Sequence, residues 1–250
     1  GRNGNSNLAT RHSAHQLQMN ISLMSTPQLI PFPSVSAIGL DVGGANLKAA
    51  VVRVDFEEET LAREVSTPWA TSMPFPLWRH PDRLTSAIEQ LLAACPPEYA
   101  GAPWGVTMTG ELADCFPDKA TGVRAIVDAV SAAAGTRQVR FWSTQCQWMN
   151  DVAAKSDPVS VAASNWHGLA CCLGSTFDQE GVRDAFGEYV GWTSALLVDV
   201  GSTTTDLIPF NRAGVLTNAR TDLDRLCSGQ LVYTGVRRTP LAAVSSEVPL

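Results

Sequence analysis

An apolar run from Ala37 to Val54 is interrupted once, at Gly43-Gly44, which predicts a strand, a tight turn and a returning strand. A third strand is expected over Leu61 to Thr67. Between Pro81 and Ala94 the residues Leu84, Ala87, Ile88, Leu91 and Leu92 recur at helical spacing, and Pro96-Pro97 stops the helix. Trp104 to Met108 reads as a strand. Ala120, Val123, Ile126, Val127 and Val130 then share one helix face that Gly135 closes, and a strand follows near Val139 to Trp142. Asp157-Pro158 offers an N-cap and a first-turn proline for a helix running through Ala162, Ala163 and Trp166 to Leu169. After a polar loop over Ser175 to Gly191, Ser194 to Val200 and Thr204 to Phe210 predict a second strand pair, with a third strand at Val215 to Asn218. Strands first, then helices alternating with strands, then a fresh hairpin indicate an α/β chain that changes domain near residues 175 to 193.

The two predicted hairpins match. Leu40-Asp41-Val42-Gly43-Gly44 lies over Val198-Asp199-Val200-Gly201-Ser202, and in both a small polar residue follows the glycine within three positions. In each copy the acid ends a buried strand, where it can hold Mg²⁺ through water, since that ion keeps several waters and needs only one or two carboxylates. The glycines Gly43, Gly44 and Gly201 let backbone approach an anion, and turn amides then face its oxygens. The hydroxyls of Ser202, Thr203 and Thr204, the amide of Asn46 and the charge of Lys48 complete a candidate phosphate site. One such turn is a weak signal, since a hairpin alone accounts for it. Two copies, both after apolar strands, point to phosphate chemistry with Asp41 and Asp199 as the metal-holding acids.

Composition narrows the partners. A chain of 250 residues, 45% apolar and 17% charged, is that of an ordinary soluble, cytoplasmic protein, and a net charge of -6 without a basic run argues against nucleic acid. No apolar run approaches a membrane span. The six cysteines form no CxxC pair and read as buried or free thiols; the four histidines lack ligand spacing, so no zinc or iron site is assigned. Residues 1–34 read as a disordered leader rich in Gly, Asn, Ser and Gln, with Met19 or Met24 as a candidate start.

With these residues in view, the chain resembles the hydantoinase/oxoprolinase-related branch of the actin-like ATPase superfamily. Within it, the resemblance is to proteins linked to tetrahydromethanopterin-dependent C1 transfer. It spans about residues 35 to 240 and rests on Asp41 to Lys48, Thr107 to Leu112, Ala162 to Trp166, Asp199 to Asp206 and Gly229 to Pro240. It implies an actin-like (ribonuclease H-like) fold of two related α/β domains, at 35–178 and 190–250, the second truncated, because a longer one is expected. It also implies a transferase of methanofuran biosynthesis that joins an aminomethylfuran-methyl diphosphate to the phenol of tyramine or glutamyl-tyramine and releases diphosphate. Mg²⁺ is the expected cofactor; ATP is allowed but not required, and a homo-oligomer is compatible. Glu111 is the candidate base for the phenol, with Asp206 and Asp114 as second choices. Asn165 and Trp166 are candidates to line the substrate site, and Arg237 and Arg238 to meet a diphosphate or glutamyl carboxylate. The alternatives are an ATP-dependent small-molecule kinase or oxoprolinase-like enzyme, and a non-catalytic nucleotide-binding scaffold.

Overall fold

A computed structural model of the chain describes residues 34–56, 63–175, 182–183, 189–190, 193–201 and 204–236. The expected leader, Ser202, Thr203, Arg237 and Arg238 therefore lie outside the described residues, apart from Ser34.

The first predicted hairpin is present. Strand β1 (Val35–Val42) pairs antiparallel with β2 (Asn46–Phe56), setting Val42 opposite Leu47 and Asp41 opposite Lys48. Strand β3 (Arg63–Pro74) extends past the expected end at Thr67, because backbone pairing to β2 carries on through a polar stretch as far as Pro74 opposite Asn46. Helix α1 (Leu84–Leu92) buries Leu84, Ala87, Ile88 and Leu91, as its apolar spacing requires. Strand β4 (Trp104–Met108) then enters parallel to β1.

Helix α2 (Lys119–Ala134) starts where the Asp118 carboxylate accepts from the Thr121 N–H at 2.7 Å, and ends at Gly135, whose φ of 63° suits a residue without a Cβ. Strands β5 (Val139–Ser143) and β6 (Gln147–Met149) complete a six-stranded sheet of order β3-β2-β1-β4-β5-β6. Side chains alternate across β1, so Ile38, Leu40 and Val42 face a core shared with Ile88, Val106, Ile126 and Val130. Gly39 and Asp41 point to the opposite face.

An unpredicted helix α3 (Asp151–Ser156) comes first, and the predicted single helix from Asp157 to Leu169 is instead split into α4 (Pro158–Val161) and α5 (Asn165–Ser175). The break has a tertiary cause. Ala162 is extended and Ala163 has φ of 47°, an unfavourable value for a residue with a Cβ. Its N–H donates to the Glu111 carboxylate at 2.9 Å, and the Ser164 N–H donates to the Met108 carbonyl at 3.1 Å. These bonds replace helical ones.

Two short paired strands, β7 (Val182–Arg183) and β8 (Tyr189–Val190), precede the second hairpin, β9 (Ser194–Val200) and β10 (Thr205–Asn211). The second sheet is completed by β11 (Gly214–Val215) and, after helix α6 (Asp222–Cys227), β12 (Leu231–Val232). The expected strand over Val215 to Asn218 shrinks to Gly214–Val215, because only Phe210 and Asn211 of β10 pair with it. A second core joins Trp166 and Ala170 of α5 to Ile208 and Phe210 of β10, so α5 serves both sheets. On β9, Leu196, Val198 and Val200 stay exposed, leaving one apolar sheet face uncovered among the described residues. The α/β, actin-like architecture expected from the sequence is present: a mixed sheet with β4 and β5 parallel to β1 beside an antiparallel β1–β3 meander, followed by a second sheet that opens with the same hairpin. Among the described residues no helix is long and apolar enough to cross a membrane.

Gly122 tests the packing of α2. A helix-interior Gly→Ala change normally gains up to about 1 kcal/mol. Here the added Cβ would sit 2.4 Å from the Glu111 carbonyl oxygen, so Gly122→Ala is expected to reverse that sign. Urea unfolding should show a loss of about 1–3 kcal/mol; a gain would refute the close approach of α2 to the Glu111 turn.

Candidate functional site

Both turns close in the same way. The Gly43 N–H donates to the Asn46 carbonyl at 3.1 Å, and the Gly201 N–H to the Thr204 carbonyl at 2.8 Å. A Cβ at Gly43 would lie 2.9 Å from the Asn46 oxygen and one at Gly201 3.1 Å from the Thr204 oxygen, so each first glycine is held by sterics. Their N–H groups are spent inside the turn, which leaves amide donation to an anion to the turn tips. Gly44 differs: nothing lies within 4 Å of its Cβ position. Asn46 is exposed at the end of the first turn.

Register makes the duplication exact in position but not in charge. Asp41 stands opposite Lys48, and Asp199 stands opposite Asp206. In the first turn Lys48 donates to Asp41 at 3.2 Å and the Thr107 hydroxyl donates to the other carboxylate oxygen at 3.2 Å. In the second, two acids face each other, and the missing cation comes from outside the hairpin. Arg225 of α6, only 1% exposed, donates to Asp206 at 2.6 Å and to the Gln230 carbonyl at 3.2 Å. Burial lifts the Asp206 carboxyl above its usual range despite that cation, helped by Asp199 and Asp222. Asp206 is thus committed to an ion pair, which weakens its candidacy as a base.

Glu111, expected to open into the cleft, is 1% exposed in the short turn Gly110–Leu112. One carboxylate oxygen holds Ala163; the other, Oε2, has no partner. Burial pushes its carboxyl up to about 7, against the opposing pulls of nearby Lys119 and of the Ala163 N–H. Lys119 also pairs with Asp222 at 3.1 Å and so ties α2 to α6 across the two sheets. Ser164 Oγ, Trp166 Nε1 and Arg225 Nε, on the same seam, are likewise buried without partners.

One substrate-lining expectation changes. Trp166 is 3% exposed, packed in the second core with the Arg225 guanidinium 3.9 Å above its ring, so it is a structural platform and lines no open cleft. The Asn165 carboxamide accepts from the Trp166 N–H at 2.7 Å, at the first turn of α5. Arg225 was missed by the sequence reading, although Thr221 and Asp224 form a capping box that marks the start of its helix.

The open face of the first sheet floors a cavity of about 880 Å³. Asp41, Lys48 and Thr107 form its polar end, and Trp142 and Trp148, in edge contact at 4.9 Å between ring centroids, form its aromatic wall. At one side of it the structure groups three residues that linear spacing did not flag together: Cys146, His167 and Cys171. His167 and Cys171 are four apart, one turn of α5, which is the signal the sequence carried. Burial and the charge of Arg220 lower the His167 pKa to about 4, leaving the ring neutral.

Residues 104–248 match the hydantoinase/oxoprolinase family. A curated relative from Methanocaldococcus jannaschii, named (4-{4-[2-(gamma-L-glutamylamino)ethyl]phenoxymethyl}furan-2-yl)methanamine synthase, is 32% identical over 86% of this chain and 55% of its own length. The chain therefore spans about half the length of that relative. A protein of the same name from Methanococcus vannielii is 46% identical over 22% of this chain and 24% of its own length. Among solved structures, the Ppx/GppA family member of Aquifex aeolicus covers 74% of this chain and 50% of its own at 11% identity, with a TM-score of 0.40.

Two buried acids yield testable behaviour. Arg225→Ala leaves Asp206 facing Asp199 without a cation and should cost about 3–5 kcal/mol in urea unfolding near neutral pH. Part of that loss should return on acidification, as Asp206 takes a proton; a pH-independent loss would mean that only packing on Trp166 was removed. For Glu111 the folded carboxyl sits at about 7 against an ordinary 4.5, so its contribution to stability is complete below 4.5 and is lost as pH rises through about 7. Glu111→Gln should flatten the stability profile across that window, by on the order of 3 kcal/mol at most.

Proposed function

The chain belongs to the hydantoinase/oxoprolinase family, and from that premise we propose that it is the phosphate-binding part of a transferase that condenses an aminomethylfuran-methyl diphosphate with the phenol of tyramine or glutamyl-tyramine, releasing diphosphate. The observation that carries this reading is the duplicated turn, with the same backbone closure and an acid at the same register position in both copies. The relatives named as synthases of the furan-methyl aryl ether support the choice of substrates.

In this reading Asp41 and Asp199 would hold Mg²⁺ through water. When bound, that ion screens the diphosphate and stabilises it as a leaving group. Lys48 adds a positive charge at the first turn, and Asn46 and the tip after Gly44 approach the anion from the backbone side. The hydroxyls of Ser202, Thr203 and Thr204 are proposed to add hydrogen bonds to the anion at the second turn. As the C–O bond to diphosphate breaks, the furan oxygen shares the positive charge left on the methylene carbon. The phenol loses its proton as its oxygen attacks.

Glu111 suits that proton. Its buried carboxyl at about 7 is held in place by Ala163, and its second oxygen is without a partner. A phenol, ordinarily near 10, would reach this buried carboxyl only on opening of the seam between the two sheets, where a matched base favours proton transfer. Arg237 and Arg238 are proposed to meet the glutamyl carboxylate.

One assay with three variants tests the reading. Diphosphate release from the aminomethylfuran diphosphate with tyramine and Mg²⁺ should proceed without ATP; a phosphorylated product, or dependence on ATP, would replace this proposal with a kinase-like one. Calorimetry should show Mg²⁺-dependent diphosphate affinity falling at least about tenfold in Asp41→Asn and in Asp199→Asn, a change of about 1.4 kcal/mol. Unchanged binding in both would sink the phosphate site. Glu111→Gln should reduce turnover and leave diphosphate affinity intact.

A further inference from the structure

The cluster beside the cavity is separate from the acidic turns and plays no part in the proposed reaction. Its three members come from two places in the fold. His167 and Cys171 lie one turn apart on α5 and so project side by side. Cys146 sits in the turn between β5 and β6, closed by its own N–H donating to the Ser143 carbonyl at 3.0 Å, and it holds φ at 59°. That backbone geometry is unfavourable for a residue with a Cβ, and it carries the thiol to the helix.

One donor atom from each of the three residues lies within 4.8 Å of the others, close enough to share one ion after a small turn of the ring, since Cys146 is nearest Nε2 and Cys171 nearest Nδ1. Cys146 Sγ lies 3.8 Å from Cys171 Sγ and 3.8 Å from His167 Nε2, and Cys171 Sγ lies 3.6 Å from His167 Nδ1. Around a tetrahedral ion with sulfur at about 2.3 Å and nitrogen at about 2.0–2.1 Å, neighbouring donors lie roughly 3.6–3.8 Å apart. We infer that Cys146, His167 and Cys171 form a binding site for one Zn²⁺-class cation, with the remaining coordination position on the side of the cavity that Cys171 and Trp142 line. Two thiolates and an imidazole favour a borderline-soft ion over Mg²⁺, so this site does not compete with the acidic turns for their metal. Three protein ligands with one position left over is the pattern of a site that can take water or a ligand atom.

Binding is accompanied by defined proton movements. Both thiols give up a proton on coordination. The ring keeps its single proton on the nitrogen turned away from the ion. In the metal-free arrangement the Trp142 N–H donates to His167 Nδ1 at 3.1 Å, so that contact must yield if the ion takes Nε2 and the ring proton moves to Nδ1. Trp142 lines the cavity wall, which makes occupancy of the site visible to whatever the cavity holds.

The test uses Co²⁺ as a spectroscopic stand-in for Zn²⁺, with the chain kept reduced by a phosphine. One Co²⁺ per chain is expected, with thiolate-to-metal charge-transfer absorption and d–d bands of tetrahedral intensity, all displaced by one equivalent of Zn²⁺. Cys146→Gly relieves the positive φ while deleting a ligand, and Cys171→Ser keeps the size of its side chain. Both should lose the charge-transfer band while circular dichroism shows a folded chain, whereas Cys95→Ser and Cys115→Ser should retain it. Absence of the band in the folded, reduced wild-type chain, or its persistence in either Cys146→Gly or Cys171→Ser, overturns the site. The acidic turns are intact in every variant, so diphosphate binding by calorimetry reports separately on the proposed reaction.

Discussion

A single hydrogen bond, from the Ala163 N–H to the buried Glu111 carboxylate, organises the junction of the two sheets. The apolar spacing from Asp157 to Leu169 suggests one helix, and this bond, with that from the Ser164 N–H to the Met108 carbonyl, interrupts it. With this bond, Ala163 is pulled to a φ of 47° and the chain restarts as α5 in a new direction. That direction lets α5 bury Trp166 and Ala170 against β10 while Gly168 passes close to Trp142 and Thr107 of the first sheet. The cost is a carboxyl 1% exposed and lifted to about 7. A group strained in this manner is stable only where neighbouring packing over-determines it. Gly122, whose missing Cβ allows α2 to press on the Glu111 backbone, supplies part of that packing.

Charge is distributed around this junction so that each half depends on the other. The first turn carries its own cation, Lys48, and its exposed pair with Asp41 is worth little by itself, about 0–1 kcal/mol. The second turn has an acid where the first has a lysine, and only the buried Arg225, stacked on Trp166, makes that arrangement tenable. Lys119 and Asp222 then connect α2 to α6. Duplicated backbone geometry has thus been given two different electrostatic characters: an acid paired with an exposed lysine in one copy, and an acid facing a second acid that a buried arginine neutralises in the other.

Strands β1, β2, β4, β5, β9 and β10 and the first two helices were legible because their signals are local. Apolar runs set β1, β2 and β9, and Gly135 stops α2 as expected, with Asp118 as the cap at its other end. The glycine turns were legible as well, since a turn that forbids a Cβ leaves glycine in the sequence. What failed to show was everything decided at long range. The break at Ala163 depends on a carboxylate 52 residues earlier. Burial of Trp166 depends on Arg225, and neither residue type announces its partner. Strand β3 outran its apolar signal because pairing with β2, at Ala50 with Ala70 and Val51 with Trp69, needs backbone only. The thiol cluster was hidden for a similar reason: histidine was counted as a type, when the informative spacing was the four residues from His167 to Cys171.

Helix α5 is where these strands of argument meet, because its faces serve different masters. Trp166 and Ala170 look into the second core, His167 and Cys171 toward Cys146, and Gly168 lies against Trp142 and the Thr107 methyl. Thr107 in turn donates to Asp41, the acid of the first turn. A displacement of α5 therefore reaches Asp41 through one packed residue and reaches the thiol cluster directly. The same helix is preceded by the Ala163 bond to Glu111, so the buried carboxyl and Asp41 are joined by a short run of packed residues. Coupling of this kind needs no long-range field. It follows from a helix whose entry is fixed by the Glu111 bond and whose first turn packs near Thr107, the residue that donates to Asp41.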